Sequence, residues 1–232
     1  MKPILFNAEM VRAVIDGRKT VTRRLIKFPM NKYTEEIPKA YNVRISGNYR
    51  GERIVFSEAP HFCFSVNKPI CRGDILYVRE SWRLSNPRGD YQHGTRQADL
   101  EYKADGHVRG VPIPREWEKY LGSKWHPSIH MPKEMARLWI KVTEVNVERI
   151  QDISPEQLRK EGIKIFITPK ECKSQFNKIG AIHDFEEKKK EFEQLWDSTV
   201  KGKEQESSKW EANPWVWAIE FVCCDKEGKE LG

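Results

Sequence analysis

The sequence predicts an α+β fold built on a small barrel, and three observations carry that expectation. Leu138 to Arg149 alternates apolar and polar residues, as a half-buried strand does. Gly73-Asp74 is a turn signal placed directly before the compact strand Ile75 to Glu80. Helical stretches then interrupt the strands, and Ser154-Pro155 is a start signal of that kind. Strands scattered along a chain with helices between them fit a small sheet core better than a helical bundle.

Taken in order, Asn7 to Asp16 reads as a short helix with Met10, Val11, Val14 and Ile15 at helical spacing. Asn7 is its N-cap and Gly17 its stop. Asn31 to Gly51 is polar and irregular, and Arg53 to Ser65 is strand-like with imperfect alternation. Ser85 to Lys124 holds several prolines and glycines, with one short strand expected near Leu100 to Tyr102. In the 138–149 strand the apolar parity changes after Val142, which predicts a bulge or twist. The helix capped by Ser154 stops at Gly162. A third helix is expected over Asp184 to Ser198, with Phe185, Phe192, Leu195 and Trp196 on its apolar side. Its Glu186 to Glu191 charge run is read as a solvated face. Trp215 to Val222 is apolar on both faces, as a central strand is.

Composition narrows the function. The 232 residues are sized for one elaborated domain or at most two small ones, read here as a single domain, 1–232. They carry eight Trp, ten Phe and seven Tyr, too many large rings for a solvated coil. No stretch approaches the roughly 18 apolar residues of a membrane span, and the first residues lack a signal-peptide core. A soluble, cytoplasmic chain without membrane contact is expected. The formal net charge is +7 and the pI about 9.1, with a mean hydropathy of −0.72. This balance favours an anionic partner, nucleic acid first. Lys2, Arg12, Arg18, Lys19, Arg23 and Arg24 face only Glu9 and Asp16 in the first 24 residues. The cysteines (Cys63, Cys71, Cys172, Cys223, Cys224) show no C-x-x-C spacing, and His61 with Cys63 has no matching second pair. No metal and no cofactor is expected, and the thiols are read as reduced.

The densest chemical signal is Gly17-Arg18-Lys19-Thr20-Val21-Thr22-Arg23-Arg24. A lysine beside hydroxyls offers a base and a nucleophile, and flanking arginines suit a phosphate or a base edge. On a straight strand Lys19 and Thr22 would face opposite sides, so they converge only where the chain turns. A basic loop leading into a threonine-containing strand is the plainer reading of the same residues.

This run resembles the G-x-K-x-x-T-x-R signature of the ASCH domain, a relative of the PUA barrel. Gly73 to Glu80 is similar to that family's G-D-x-L-x-V strand, Glu161-Gly162-Ile163 to its acidic position after a helix, and Pro214 to Phe221 to its closing strand. The resemblance implies a PUA-like β-barrel with flanking helices and insertions near 31–51, 85–124 and 165–209, of a longer phage or bacterial type. Small members are similar to N4-acetylcytidine amidohydrolases. Their catalytic lysine, threonine and glutamate fall on Lys19, Thr22 and Glu161. Arg18 and Arg23 would lower the Lys19 pKa or steady an oxyanion. With Arg24 they form the expected contacts to RNA or a modified nucleoside. A ribonuclease using Lys19 and His130, or a non-catalytic RNA-binding module acting with a protein partner, are the alternatives.

Two more segments carry polar and aromatic groups. Trp125 to Pro132 reads either as a wall of the ligand pocket, with Ser128 or His130 bonding a base, or as a rigid proline-bounded turn. Glu80 and Trp82 end the strand after the Gly-Asp turn, where Trp82 would stack on a base or pack inside.

Overall fold

A computed structural model describes residues 1–27, 42–48, 51–58, 62–165, 170–171, 173–200 and 205–231. The expected excursion at 31–51 and insertion at 165–209 fall partly outside these residues, as do His61 and Cys172 of the cysteine reading. The fold is α+β, and no closed barrel is present among the described residues. The chain divides into two compact units, each discontinuous in sequence.

The first unit comprises Met1–Arg18, Asp74–Lys141 and Val222–Gly232. Strand β1 (Lys2–Leu5) leads into α1 (Ala8–Ile15), capped as its sequence dictates: the Asn7 side chain accepts the Met10 N–H. Gly17 closes the helix at φ 69°, a left-handed conformation that glycine adopts without a Cβ penalty. β1 pairs in parallel with β6 (Ile75–Arg79), Ile4 opposite Val78. The first residues of β10 (Trp139–Arg149) pair antiparallel with β6 on its other side.

The 85–124 segment departs from the single short strand expected of it. β7 (Trp82–Arg88), β8 (Gln97–Tyr102) and β9 (Val108–Pro112) form an antiparallel sheet in that order. In β8 every second residue is buried, Ala98, Leu100 and Tyr102, but the small Ala98 weakens the apolar signal. β9 contains Gly110 and ends in proline, residues tolerated at a sheet edge and poor at announcing a strand. Trp82, Leu84, Leu100, Tyr102, Met131 and Met135 fill the core against this sheet.

The second unit comprises Lys19–Gly73 and Val142–Phe221. β2 (Val21–Leu25) pairs antiparallel with β11 (Trp215–Cys224), Thr22 opposite Ile219. β3 (Asn42–Asn48), β4 (Gly51–Glu58) and β5 (Phe62–Asn67) make an antiparallel meander, so the strand-like 53–65 stretch is two strands. Along β10 the buried positions shift from Ile140 and Val142 to Val145, the parity change expected from sequence. β11 buries Val216 to Ile219 consecutively, as its two-sided apolar pattern requires. α2 (Pro155–Lys160) starts with Pro155 at the first helical position and a full capping box between Ser154 and Gln157.

α3 (Gln175–Thr199) begins nine residues before the expected Asp184. Ser174 caps its first turn by accepting the Asn177 N–H. α4 (Gln205–Ser208) and a short turn at Trp210–Ala212 follow. Phe192, Trp196 and Trp210 pack with Ile150, Leu158 and Val216 into this unit's core.

Because the Ser154 cap satisfies one otherwise orphaned N–H of α2, Ser154→Ala is expected to cost about 1 kcal/mol. Urea denaturation of the full chain measures it; an unchanged midpoint would show that the cap does not hold α2.

Candidate functional site

β2 begins between two neighbours that fix its backbone. The Thr20 N–H donates to the Lys160 carbonyl at 2.8 Å, and the Phe221 N–H donates to the Thr20 carbonyl at 2.9 Å. Lys19 forms a bridge with Glu161, the residue at the C-terminal cap of α2. These contacts bring a cation and a carboxylate together from positions 142 residues apart.

The ammonium of Lys19 meets three acceptors. Nζ donates to the Val21 carbonyl at 2.9 Å, the Glu161 carbonyl at 3.0 Å and Glu161 Oε2 at 2.5 Å. An ammonium has three N–H donors, so these bonds match its capacity. Arg23 completes the cluster. Its Nη1 donates to Glu161 Oε1 at 2.9 Å, Nε to Glu148 Oε1 at 2.6 Å and Nη2 to Gln157 Oε1 at 2.8 Å. Lys19 and Arg23 therefore hold one oxygen each of the same carboxylate.

All of this is enclosed: Lys19 is 1% exposed, Thr22 2%, Arg23 5% and Glu161 8%. Burial lowers the Lys19 pKa from its ordinary value, against the opposing pull of Glu161, and Arg24 and Arg23 add to the lowering. Burial alone would raise the Glu161 pKa, but Lys19 and Arg23 hold it below the ordinary carboxylate range. Burial also lowers the pKa of Arg24, opposed by Glu161.

Among the residues expected from sequence, the structure unites Lys19, Glu161 and Arg23. Thr22 is buried on β2 opposite Ile219, and Arg24 is near enough for its charge to bear on Lys19 and Glu161. Arg18 belongs to the first unit and pairs with Asp16 at 2.8 Å. Sequence reasoning passed over Glu148 and Gln157. Gln157 had a readable signal as the third residue of the capping box, whose side-chain oxygen serves Arg23 as well. Glu148 lies near the end of a half-buried strand and had none.

The other expected residues lie in the first unit. Trp82 is fully enclosed, with Tyr120 and His126 against its ring at centroid separations of 5.2 and 4.8 Å. Its role here is packing, and its faces are closed to a base. Glu80 is also buried, and Arg137 clasps it with Nε to Oε1 at 2.8 Å and Nη2 to Oε2 at 2.9 Å. Burial raises the Glu80 pKa, with Arg137 opposing. Arg137 also holds Asp105 and lies 4.0 Å over the Tyr102 ring. Burial pushes the Tyr102 hydroxyl up to about 12.

Ser128 and His130 sit in a short turn at Ser128–His130, preceded by Pro127 and followed by a second turn that starts after Pro132. Ser128 is half-buried and His130 exposed. The packed histidine is His126, whose Nε2–H donates to the Tyr120 carbonyl at 3.0 Å.

Among the described residues, no group of three His, Cys, Asp or Glu side chains is placed to hold a metal, and no helix is long and apolar enough to cross a membrane. No protein-family model, no curated protein and no solved structure matches this chain.

Removing the carboxylate while keeping its shape tests the cluster. Glu161→Gln leaves Lys19 and Arg23 buried without their shared anion, and a loss of about 3–5 kcal/mol is expected. The folded Glu161 pKa lies below its ordinary 4.5, so its stabilisation is complete above that value. It is lost as pH falls through the depressed folded value. Urea midpoints measured against pH should therefore fall less steeply at acid pH in Glu161→Gln than in wild type. Parallel curves would show that Glu161 is not ionised in the fold.

Proposed function

We propose that this protein is an ASCH-type, PUA-like protein that binds a nucleoside or RNA through its basic β2 segment. In this reading it hydrolyses an acylated cytosine such as N4-acetylcytidine. The observation that supports the reading most directly is the meeting of Lys19 with Glu161. Buried ion clusters with shifted pKa values concentrate at functional sites, although structural networks shift pKa values too. A buried ion pair is also weak as a source of stability, since desolvation offsets its attraction.

In the proposed reaction Lys19 passes a proton to Glu161 and becomes a neutral base. It then takes a proton from the Thr22 hydroxyl or from a water molecule, and that oxygen attacks the acetyl carbonyl. The carbon–nitrogen bond breaks, the departing N4 receives the proton, and the products are cytidine and acetate. If Thr22 attacks, a water molecule releases acetate from the acyl-threonine in a second step. Arg23 and Arg24 stabilise negative charge that develops on the carbonyl oxygen.

One observation favours a second reading. The Lys19 ammonium donates to three acceptors, one of them a carboxylate, as a structural anchor in a non-catalytic RNA-binding module would. The two readings part in a single assay. Wild type is expected to release cytidine and acetate from N4-acetylcytidine, and Thr22→Ala and Lys19→Ala, checked for folding by circular dichroism, to release at least about a hundredfold less. Folded wild type without turnover, yet binding RNA with steep salt dependence, would establish the second reading instead.

A further inference from the structure

The sheet that sequence reasoning missed forms one wall of an open pocket of about 550 Å³, with Arg83, Ser85, Glu101, Leu121, Gly122 and Ser123 among its lining. That volume lies within the range of small-molecule sites. None of these residues belongs to the Lys19 cluster, and all lie in the first unit.

Three features define what the pocket suits. The Arg83 guanidinium lies 4.7 Å over the Trp125 ring, which fixes it as a flat, supported surface. Its Nη2 donates to Glu101 Oε2 at 2.6 Å and its Nη1 reaches the Ser123 carbonyl at 3.4 Å. Three of its five N–H donors lie outside these bonds, although Nε is itself enclosed, with no acceptor among the described residues. Glu101 is the third feature. Ser85 donates to its Oε1 at 2.5 Å, so each carboxylate oxygen accepts one bond and retains a lone pair.

Adjacent donors and acceptors beside a flat cation are complementary to a nucleobase, which offers a π-face and an edge carrying both kinds of group. The Arg83–Glu101 pair is close to neutral in sum. It therefore suits an uncharged polar ring better than a phosphate, which would meet the carboxylate. We propose that this pocket is a nucleoside-binding site, with the base stacked on Arg83 and its hydrogen-bonding edge against Glu101. Arg83 and Ser85 favour the ionised form of Glu101, holding its pKa below the ordinary value, and so keep the acceptor charged.

Calorimetric titration of the full chain with cytidine, adenosine and ribose 5-phosphate tests the proposal. It is run in wild type and in Thr22→Ala, so that failure of the proposed hydrolysis leaves the result readable. Both nucleosides are expected to bind in both proteins with one equivalent that belongs to this pocket and that Ser123→Trp removes, whatever binds at the β2 segment, and ribose 5-phosphate not to bind here. Glu101→Gln is expected to weaken binding by about tenfold. Ser123→Trp, at an exposed wall position, is expected to abolish it by filling the space. The second variant decides the matter if the first fails to fold. No heat with either nucleoside, equal binding of ribose 5-phosphate, or unchanged affinity in folded Ser123→Trp would each overturn the assignment.

Discussion

The contact on which the second unit depends is the shared carboxylate of Glu161. One oxygen takes the Lys19 ammonium and the other the Arg23 guanidinium, so two cations share one side chain, and Glu148 supplies the second negative charge through Arg23. Without it, Lys19 would lose its carboxylate partner and Arg23 one of its two, at a cost of several kcal/mol. The arrangement also constrains geometry. The C-terminal end of α2 must stay against the start of β2, and the Thr20–Lys160 and Phe221–Thr20 backbone bonds show that it does. Gln157 ties the same cluster to the capping box, so the beginning of the helix and its end answer to one set of charges.

The first unit solves a similar problem differently. Arg137 has two carboxylates, Glu80 and Asp105, and the face of Tyr102 as its surroundings. Here one cation gathers two anions, the reverse of the Glu161 arrangement. Both clusters place an arginine where its flat, five-donor fork can grip carboxylates from more than one element at once.

Local signals were legible where a single residue type has a single physical use. Asn7 and Ser154 cap because their side-chain oxygens satisfy helix N–H groups, and Gly17 turns because it tolerates φ 69°. The parity change in β10 and the doubly apolar β11 were readable for the same reason. The β7–β8–β9 sheet was not, because Ala98, Gly110 and Pro112 are poor strand formers held in place by neighbouring strands. Lys19 and Glu161 were named from sequence by resemblance to a motif, while their contact depends on how α2 and β2 meet, which no local pattern encodes. Trp82 shows the converse: a ring at a strand end reads as core more often than as a stacking platform, and the surrounding Tyr120 and His126 decide for core. Glu148 and Gln157 enter the cluster through tertiary placement alone.

The distance along the chain between Lys19 and Glu161 bears on how the protein is made. A ribosome delivers β2 with its cations long before it delivers the carboxylate that neutralises them, and β11, which pairs with β2, is made later still. At ordinary translation speeds of about 5–20 residues per second, that interval lasts many seconds. Throughout it the nascent segment is a short basic tether, open to any polyanion nearby, and it becomes an enclosed ion cluster only when the late strand and α2 have folded over it.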